Sequence, residues 1–197
     1  MHVQFVGSAY DVSRFPPNVA PEIAFLGRSN VGKSSLLNSL TGSKIAHVSS
    51  TPGRTQAINF FSMSYDGKPD HADLMLVDLP GYGYAKLSKS TTAEWPKFID
   101  PYLKKRQGLA LCVVLLDSNI PPQASDERLL DFLRAAKREF VVVATKADRI
   151  SKNALNNSLR TLSKELGVQQ VLAYSAKTHA GRTELWKAIR AFSNPYA

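Results

Sequence analysis

The sequence predicts an α/β fold, a three-layer α/β/α sandwich around a mostly parallel six-stranded sheet with one antiparallel edge strand. Two observations predict this class. The continuous apolar runs at 109–116 and 140–144 are typical of parallel strands that are buried on both faces. Helical patterns lie between and after these runs, as in successive strand–helix–strand units. With 197 residues, the chain is long enough to bury a sizeable core within one domain.

The individual elements follow from apolar patterning and turn residues. An apolar strand at 22–26 leads into a helix at 33–40. Residues 57–65 alternate and are rich in phenylalanine, and Asp66–Gly67 turns them towards a strand at 73–77, which predicts a hairpin. The remaining predicted strands are 109–116, 140–144 and 168–174, and the remaining helices are 89–106, 124–137, 152–166 and 183–192.

The domain organisation is predicted to be simple. Residues 1–21 are interpreted as a loosely attached N-terminal lead-in, in which Phe15-Pro16-Pro17 cannot be helical. Residues 22–197 form the one functional domain. No stretch is long enough for a transmembrane helix and the N-terminus lacks a secretory pattern, so a cytoplasmic protein is expected. Cys112 lies in an apolar run and is expected to be a buried, inert thiol.

The net charge of +9 limits the classes of partner. A basic surface attracts polyanions such as nucleic acid or an acidic membrane. The alternative is a protein that is basic without a polyanionic partner, and charge alone does not separate the two. The four histidines form no ligand constellation, so neither a zinc site nor a nucleophilic triad is predicted.

The stretch GRSNVGKSS fits the pattern G-x-x-x-x-G-K-[ST], with Gly27, Gly32, Lys33 and Ser34 at its fixed positions. The glycines let the backbone curl so that its N–H groups point at phosphate oxygens, and the following helix adds its positive N-terminal end. Lys33 is predicted to neutralise the β- and γ-phosphates, and the Ser34 hydroxyl to bind Mg²⁺. An accidental glycine-rich turn is the alternative, but the stretch lies between a strand and a helix, as the chemistry requires.

The tetrapeptide Asp78-Leu79-Pro80-Gly81 follows a second apolar strand. An aspartate at that strand end can reach Mg²⁺ through a water, and Gly81 can offer its N–H to a γ-phosphate and act as a hinge. Alone, such a turn is weak evidence. Its position about one hairpin after the phosphate loop makes the interpretation convincing.

Two further short motifs predict guanine recognition. Thr145-Lys146-Ala147-Asp148 ends another buried strand, and its carboxylate can accept hydrogen bonds from guanine N1–H and N2–H₂, which adenine lacks. Ser175-Ala176-Lys177 follows the last predicted strand and can bring a backbone N–H to guanine O6. Each would be read as a helix-capping turn if it stood alone.

These motifs in this order resemble the EngB (YihA/YsxC) family of bacterial GTP-binding proteins, P-loop GTPases of the translation-factor class. The resemblance runs from about Glu22 to the C-terminus and is carried by GRSNVGKSSLLN, STPGRTQAINFF, DLPGYGYA, TKAD and YSAK. It implies a P-loop GTPase fold, GTP or GDP as ligand and Mg²⁺ as cofactor. Thr145 departs from the wider superfamily, where asparagine is usual.

Together the motifs and the resemblance define a set of predicted site residues. The predicted catalytic residues are Lys33, Thr55, Gly81 and Asn30, and the predicted metal ligands are Ser34, Thr55 and Asp78. The predicted nucleotide-binding residues are Gly27, Arg28, Ser29, Asn30, Val31, Gly32, Lys33, Ser34, Ser35, Gly53, Arg54, Thr55, Gln56, Asp78, Leu79, Pro80, Gly81, Thr145, Lys146, Ala147, Asp148, Tyr174, Ser175 and Ala176.

The hydrolysis mechanism is less well defined. In the family the threonine of PGRTQ closes over Mg²⁺, which by resemblance is Thr55, although the neighbouring Thr51 is a competitor. Tyr82 stands where Ras-like proteins carry the water-orienting glutamine, and Gln56 has no geometry to recommend it. The resemblance suggests that Asn30 helps to hold K⁺ against the phosphates; the alternative is that it tolerates an unusual φ angle. A slow switch is expected, with mobile segments at 42–56 and 82–90.

The resemblance implies a partner, the large ribosomal subunit or its precursor, with a link to cell division and septation. Basic and aromatic side chains that RNA could engage are Lys86, Lys89, Lys97, Lys104, Lys105, Arg106, Tyr82, Tyr84, Trp95 and Tyr102. A solvated helix with its aromatic residues on the sheet is the alternative. Membrane and DNA partners are not expected. A switch that binds only protein partners is the main rival, and a P-loop kinase is disfavoured because it has no use for TKAD.

Overall fold

The computed structural model describes residues 1–46, 57–68, 71–82 and 98–193, and the elements below lie within these ranges. The strands are β1 His2–Ala9, β2 Glu22–Gly27, β3 Ile58–Ser64, β4 Leu74–Asp78, β5 Leu109–Asp117, β6 Phe140–Thr145 and β7 Val171–Ala173. The helices are α1 Lys33–Thr41, α2 at 98–105, α3 Ala124–Ala135, α4 Lys152–Leu166 and α5 Arg182–Ser193.

The strands form one seven-stranded sheet in the order β1-β3-β4-β2-β5-β6-β7. β4, β2, β5, β6 and β7 are mutually parallel, whereas β3 runs antiparallel to both of its neighbours. The predicted α/β class, the mostly parallel sheet and the β3–β4 hairpin are confirmed. The sheet has one strand more than the six predicted, so the antiparallel strand β3 is second from the edge.

The additional strand, β1, comes from the segment interpreted as a loosely attached lead-in. It pairs with β3 from His2 to Ala9, with a register irregularity between Phe5 and Gly7. Because β1 is an edge strand with most of its residues at least partly exposed, its sequence lacks the apolar run that revealed the central strands. The attachment is therefore closer than expected, and the domain boundary at residue 22 stays a prediction.

Helices cover both faces of the sheet, which gives the three predicted layers. Leucines of α1 and the apolar face of α5, including Trp186, pack with Ile23 and Val113 on one face. Apolar residues of α2, α3 and α4 pack with Ala24 and Val114 on the other. Successive strand residues point to opposite faces, so each central strand contributes to both clusters and must be apolar throughout.

A buried polar network lies at the N-terminal end of β2. The Glu22 carboxylate, which has no exposed surface, accepts hydrogen bonds from Tyr102 Oη at 2.9 Å and from Arg106 Nε at 2.9 and 3.0 Å. Arg106 also donates to the carbonyl of Pro16 at 2.7 Å. The network ties the segment before β2 and the end of α2 to the sheet.

Cys112 is fully buried in β5, as expected, and burial raises the pKa of its thiol to about 12. Such a thiol stays protonated near neutral pH and is a poor nucleophile. Within the described residues, no helix is both long and apolar enough to cross a membrane.

Candidate functional site

The predicted site residues that the structure describes gather at the C-terminal ends of the parallel strands. The loop after β2, the turn after β4 and the loops after β6 and β7 all open at this edge of the sheet. This edge is where ligands bind in open α/β folds, because the loops of neighbouring parallel strands meet there. Chain segments that are far apart in sequence are therefore brought to one place.

The loop between β2 and α1 is shaped by residues that accept a positive φ or lack a side chain. Gly32 has a φ of 101° and is the N-cap residue of α1, where it has no side chain to occupy the first N–H groups of the helix. A Cβ atom at Gly27 would lie 2.7 Å from Cγ1 of Val31, so only glycine allows this loop to close. The loop and the helix end together form a cradle of backbone N–H groups suited to phosphate.

Asn30 also has a positive φ, 64°. Asparagine adopts this conformation more readily than most residues, so the turn by itself gives a reason for asparagine at this position. The K⁺ role suggested by the resemblance therefore rests on no feature of the described structure.

Lys33 and Asp78 form an ion pair at the mouth of this loop. Lys33 is the first residue of α1 and Asp78 is the last of β4, and both side chains are buried. The hydroxyl of Ser34 belongs to the same first turn of α1. A hydroxyl and a carboxylate are oxygen donors of the kind that Mg²⁺ prefers, so the donor set fits this metal.

The turn after β4 lies directly against the phosphate loop. Tyr82 N–H donates to the Gly27 carbonyl at 3.2 Å, and Ser29 N–H donates to the Tyr82 carbonyl at 3.4 Å. A Cβ atom on Gly81 would lie 3.0 Å from both N and Oγ of Ser29. Leu79 is fully buried in the core, so its side chain fixes the turn and does not face the ligand edge.

Three side chains join at this turn in a way that sequence analysis did not predict. Asp126, in the first turn of α3, accepts a hydrogen bond from Tyr82 Oη at 3.0 Å and lies 3.2 Å from Nε of Arg28. Arg28 was predicted as a nucleotide contact, but its side chain points to Asp126. The signal that could have indicated Asp126 is its capping-box position opposite Gln123, although that position alone does not reveal its partners.

The loop after β6 is fastened to the phosphate loop. Thr145 Oγ1 lies 2.6 Å from the Val31 carbonyl and 2.9 Å from the Leu116 carbonyl, within donating distance of both. Lys146 Nζ donates to the Asn30 carbonyl at 2.8 Å. Thr145 stands where asparagine is usual in the wider superfamily. From the end of β6 its hydroxyl reaches the phosphate loop and fastens the two loops together.

Asp117, at the end of β5, is a second site residue that sequence analysis missed. Its Oδ2 accepts a hydrogen bond from Lys146 Nζ at 2.7 Å. Burial raises the pKa of this carboxyl, but the hydrogen bonds from Lys146 and from the Asn119 N–H outweigh burial, and the net pKa is lowered. An acid at the C-terminal end of a buried parallel strand was the available signal.

Asp148 and Ser175 meet across the loops after β6 and β7. Ser175 Oγ donates to Asp148 Oδ1 at 2.6 Å, and this hydrogen bond is the main cause of the lowered pKa of the Asp148 carboxyl. The Asp148 carboxylate is exposed while Ser175 is buried. An exposed, ionised carboxylate held by one hydroxyl retains acceptor sites for the paired N–H donors of a guanine edge.

Tyr174 was predicted as a nucleotide contact, and its side chain lies away from the ligand edge. Its ring is buried, and its hydroxyl lies 3.0 Å from Ser39 Oγ on α1. The Tyr174 carbonyl accepts a hydrogen bond from Ala147 N–H at 3.1 Å. The residue therefore links the two base-side loops through its backbone.

Several predicted residues cannot be compared with the structure, and three others are largely buried in it. Gly53, Arg54, Thr55 and Gln56, with the competitor Thr51, lie outside the described residues, as do Lys86, Lys89, Lys97, Tyr84 and Trp95. Within the predicted RNA-binding set, Tyr102 and Arg106 are part of the buried Glu22 network and Tyr82 is turned to Asp126, so these three side chains do not present a surface to RNA. The prediction that these three side chains contact RNA is wrong, because their polar groups are hydrogen-bonded to Glu22 and Asp126 inside the protein.

Comparisons with known proteins agree with the geometry. Residues 22–146 match the model of a family described as 50S ribosome-binding GTPases. A "Probable GTP-binding protein EngB" from Koribacter versatilis is 59% identical over 94% of this chain and 91% of its own length. Its counterpart from Acidobacterium capsulatum is 57% identical over 96% of this chain and 90% of its own length.

Solved structures show the same fold. One, a crystal structure of a probable GTP-binding protein engB, has a TM-score of 0.69 at 24% identity and covers 87% of this chain and 97% of that chain. Another is Era in complex with MgGDPNP and part of 16S ribosomal RNA, with a TM-score of 0.70 at 22% identity, covering 90% of this chain and 58% of that chain.

Proposed function

The chain belongs to the EngB family of GTP-binding proteins, and we propose that it binds GTP and GDP at the C-terminal edge of its sheet and hydrolyses GTP slowly as a switch. One observation carries the proposal. The loop suited to guanine is fastened to the loop suited to phosphate by the hydrogen bonds from Thr145 to Val31 and from Lys146 to Asn30. A single ligand with a guanine at one end and phosphates at the other matches this arrangement.

The phosphate end uses backbone and charge. N–H groups of the Gly27–Lys33 loop and of the start of α1 would donate to the phosphate oxygens, assisted by the helix dipole. The Lys33 ammonium has three donors and would exchange part of its contact with Asp78 for the β- and γ-phosphates. Ser34, with Asp78 through a water and Thr55 by resemblance, would hold Mg²⁺, which neutralises phosphate charge when bound.

At the base end, Asp148 would accept hydrogen bonds from guanine N1–H and N2–H₂. Adenine offers neither of these donors, so the carboxylate would reject it. The Lys146 stem would lie along the base, held by its contact with Asp117. The N–H of Ala176 would face guanine O6.

Slow hydrolysis is supported by the orientation of Tyr82. Its hydroxyl is committed to Asp126 inside the protein, so in this arrangement it does not orient an attacking water. Lys33 and the Gly81 N–H remain to stabilise the transferring phosphoryl group. Stimulation by K⁺ through Asn30 belongs to the proposal and is tested by replacing K⁺ with Na⁺ in the assay.

Nucleotide titration of the purified chain tests the proposal directly. We expect GDP and a non-hydrolysable GTP analogue to bind in the presence of Mg²⁺, and ADP to bind about a hundredfold more weakly or worse. Asp148→Asn should weaken GDP binding while Asp131→Asn, which changes an exposed carboxylate on α3, should not. Equal affinity for ADP and GDP would contradict guanine specificity.

We further propose that the partner of the switch is the large ribosomal subunit or its precursor, which would link the chain to ribosome assembly and through it to cell division. The description of the matching family and the net charge of +9 support this partner. A cytoplasmic location forms part of the same proposal.

The exposed face of α4 gives the proposal a described surface. It carries Lys152, Arg160 and Lys164 together with Asn153, Asn156 and Asn157. Within the described ranges these three cations have no ion pair, whereas Arg134 on α3 pairs with Asp131. Unpaired cations among amides suit contact with an RNA phosphate backbone.

Co-sedimentation with separated ribosomal subunits across a salt series tests this partner. We expect binding to the large subunit only with the GTP analogue, and a shallower salt dependence when Lys152, Arg160 and Lys164 are changed to Ala. The control changes three other exposed cations, Arg14, Arg128 and Lys187, to Ala. No nucleotide-dependent binding to mature or precursor particles would favour the alternative, a signalling or cell-division GTPase that acts only on protein partners.

A further inference from the structure

The Asp126 carboxylate is buried at the junction of three segments. It has no exposed surface, and both of its oxygens are engaged. Oδ1 accepts from Tyr82 Oη at 3.0 Å and lies 3.2 Å from Arg28 Nε, while Oδ2 accepts from the Gln123 N–H at 2.9 Å. A charge buried this deeply is costly unless it is paired, and here the Arg28 guanidinium and the Tyr82 hydroxyl provide the partners.

The two side chains that Asp126 holds belong to the segments that would surround a γ-phosphate. Arg28 follows Gly27 in the phosphate loop, and Tyr82 follows Gly81 in the turn after β4. Their backbones already form a parallel bridge, with Tyr82 N–H bonded to the Gly27 carbonyl. Asp126 therefore adds a side-chain lock to a backbone contact.

These contacts fix the position of the Gly81 backbone. Because Tyr82 is held on its C-terminal side and Leu79 is buried on its N-terminal side, the Gly81 backbone lies tightly against Ser29. Burial, followed by the Asp126 charge, raises the pKa of the Tyr82 hydroxyl well above its usual value. The hydroxyl therefore remains a proton donor to Asp126 at any physiological pH.

We propose that Asp126 is a positioning residue that sets the Gly81 N–H for a γ-phosphate by holding Tyr82 to Arg28, and so helps the protein to distinguish GTP from GDP. This inference rests on the proposed GTP site and deepens it. Asp126 itself touches no nucleotide. It acts through the turn, from a helix that none of the predicted nucleotide-binding residues belongs to.

A purely structural brace and a γ-phosphate positioner make different predictions. Loosening a brace lowers the free energy of unfolding and affects GTP and GDP binding alike. If the residue instead positions Gly81, loss of its contact weakens the binding of GTP alone, because GDP has no γ-phosphate to meet the Gly81 N–H. The ratio of the two affinities is therefore the informative quantity.

The experiment measures dissociation constants for GDP and a non-hydrolysable GTP analogue with the unsubstituted chain, Tyr82→Phe, Asp126→Asn and the double variant. Tyr82→Phe keeps the buried ring and removes only the hydroxyl. Asp126→Asn removes the negative charge and replaces one acceptor oxygen by an amide N–H₂, which cannot accept from Tyr82 Oη or from the Gln123 N–H. Asp131→Asn, on the exposed part of α3, is the matched control, and circular dichroism checks that each variant is folded.

We expect each single variant to weaken the GTP analogue by about tenfold while GDP stays within about twofold, as expected for the loss of one charge-assisted hydrogen bond. The double variant should show less than the sum of the two effects, because both remove the same contact. An unchanged ratio in folded Tyr82→Phe overturns this inference alone. Failure of the unsubstituted chain to bind either nucleotide would overturn the proposed function as well.

Discussion

The two ends of the sheet each carry a buried ion pair, and the two pairs differ in how completely they are satisfied. At the N-terminal end of β2, the Glu22 carboxylate is bonded by both Arg106 and Tyr102. At the C-terminal end of β4, Lys33 is the hydrogen-bond partner that the described residues provide for Asp78. A fully satisfied pair has no capacity for a ligand, whereas an ammonium with three donors facing one carboxylate retains capacity for more acceptors.

Buried charge therefore has two uses in this protein. The Glu22 network fastens chain segments together and is expected to contribute to stability. The Lys33–Asp78 pair places a cation and a carboxylate where phosphate and Mg²⁺ are proposed to bind. Variants at either end should lower the free energy of unfolding, but only variants at the Lys33–Asp78 pair should also lower nucleotide affinity.

The largest effect is expected from Glu22→Ala. It leaves the Arg106 guanidinium buried without its carboxylate and should lower the free energy of unfolding by about 3–5 kcal/mol. Urea denaturation provides the measurement, and GDP affinity of the folded protein should stay within about twofold. Glu165→Ala, at an exposed position of α4, is the control and should cost less than about 0.5 kcal/mol. A loss below about 1 kcal/mol for Glu22→Ala would remove the contrast between the two ends.

Lys33→Ala should weaken nucleotide binding. It also leaves the buried Asp78 carboxylate without its ion-pair partner, so a lower free energy of unfolding is expected as well. Loss of a charged partner for the phosphates is worth about 2–5 kcal/mol, so GDP affinity should fall by about thirtyfold or more. Fluorescence titration with a labelled guanine nucleotide measures the change. Lys44→Ala, an exposed lysine just beyond α1, should leave the affinity unaltered. Near-normal binding by Lys33→Ala would mean that the phosphate site is not at this ion pair.

A smaller loss of GDP affinity is expected when the contact between the loop after β6 and the phosphate loop is weakened. Thr145→Val keeps the shape of the side chain and removes the hydroxyl that can donate to the Val31 or Leu116 carbonyl. One neutral hydrogen bond is worth about 1 kcal/mol, so GDP affinity should fall by roughly fivefold. Thr161→Val on the exposed face of α4 provides the comparison. If both variants bind GDP equally well, the hydrogen bonds of Thr145 do not carry the coupling between the two loops.

The smallest effect concerns pH. Because the pKa of Asp117 is lowered in the folded state, its contribution to stability is present above its ordinary value of 3.8 and is lost as pH falls through the lowered pKa. We expect the difference in unfolding free energy between the unsubstituted chain and Asp117→Asn to be constant from pH 7 to 5 and to shrink below 3.8. Urea titrations at several pH values test this sign, and a difference that grows on acidification would contradict it.

The class of fold and the location of the ligand edge could be predicted from the residues before the structure was known. Buried parallel strands must be apolar on both faces, so β2, β5 and β6 are visible as continuous runs. The phosphate loop is equally local, since Gly27 to Ser34 are contiguous and their conformations depend on neighbouring residues. Order along the chain then placed Asp78 and Asp148 at the same edge, because parallel strands end together.

Which polar side chains meet depends on how the folded elements pack. Asp126 lies far along the chain from both Arg28 and Tyr82, and no local pattern links them. Arg106 and Tyr102 were predicted to contact RNA, but in the structure both side chains bind the buried Glu22 carboxylate. Strand β1 was equally hidden, because an exposed edge strand needs no apolar run. Local conformation is written in short stretches of sequence, whereas burial and the pairing of distant charges arise only when the packed elements exclude water.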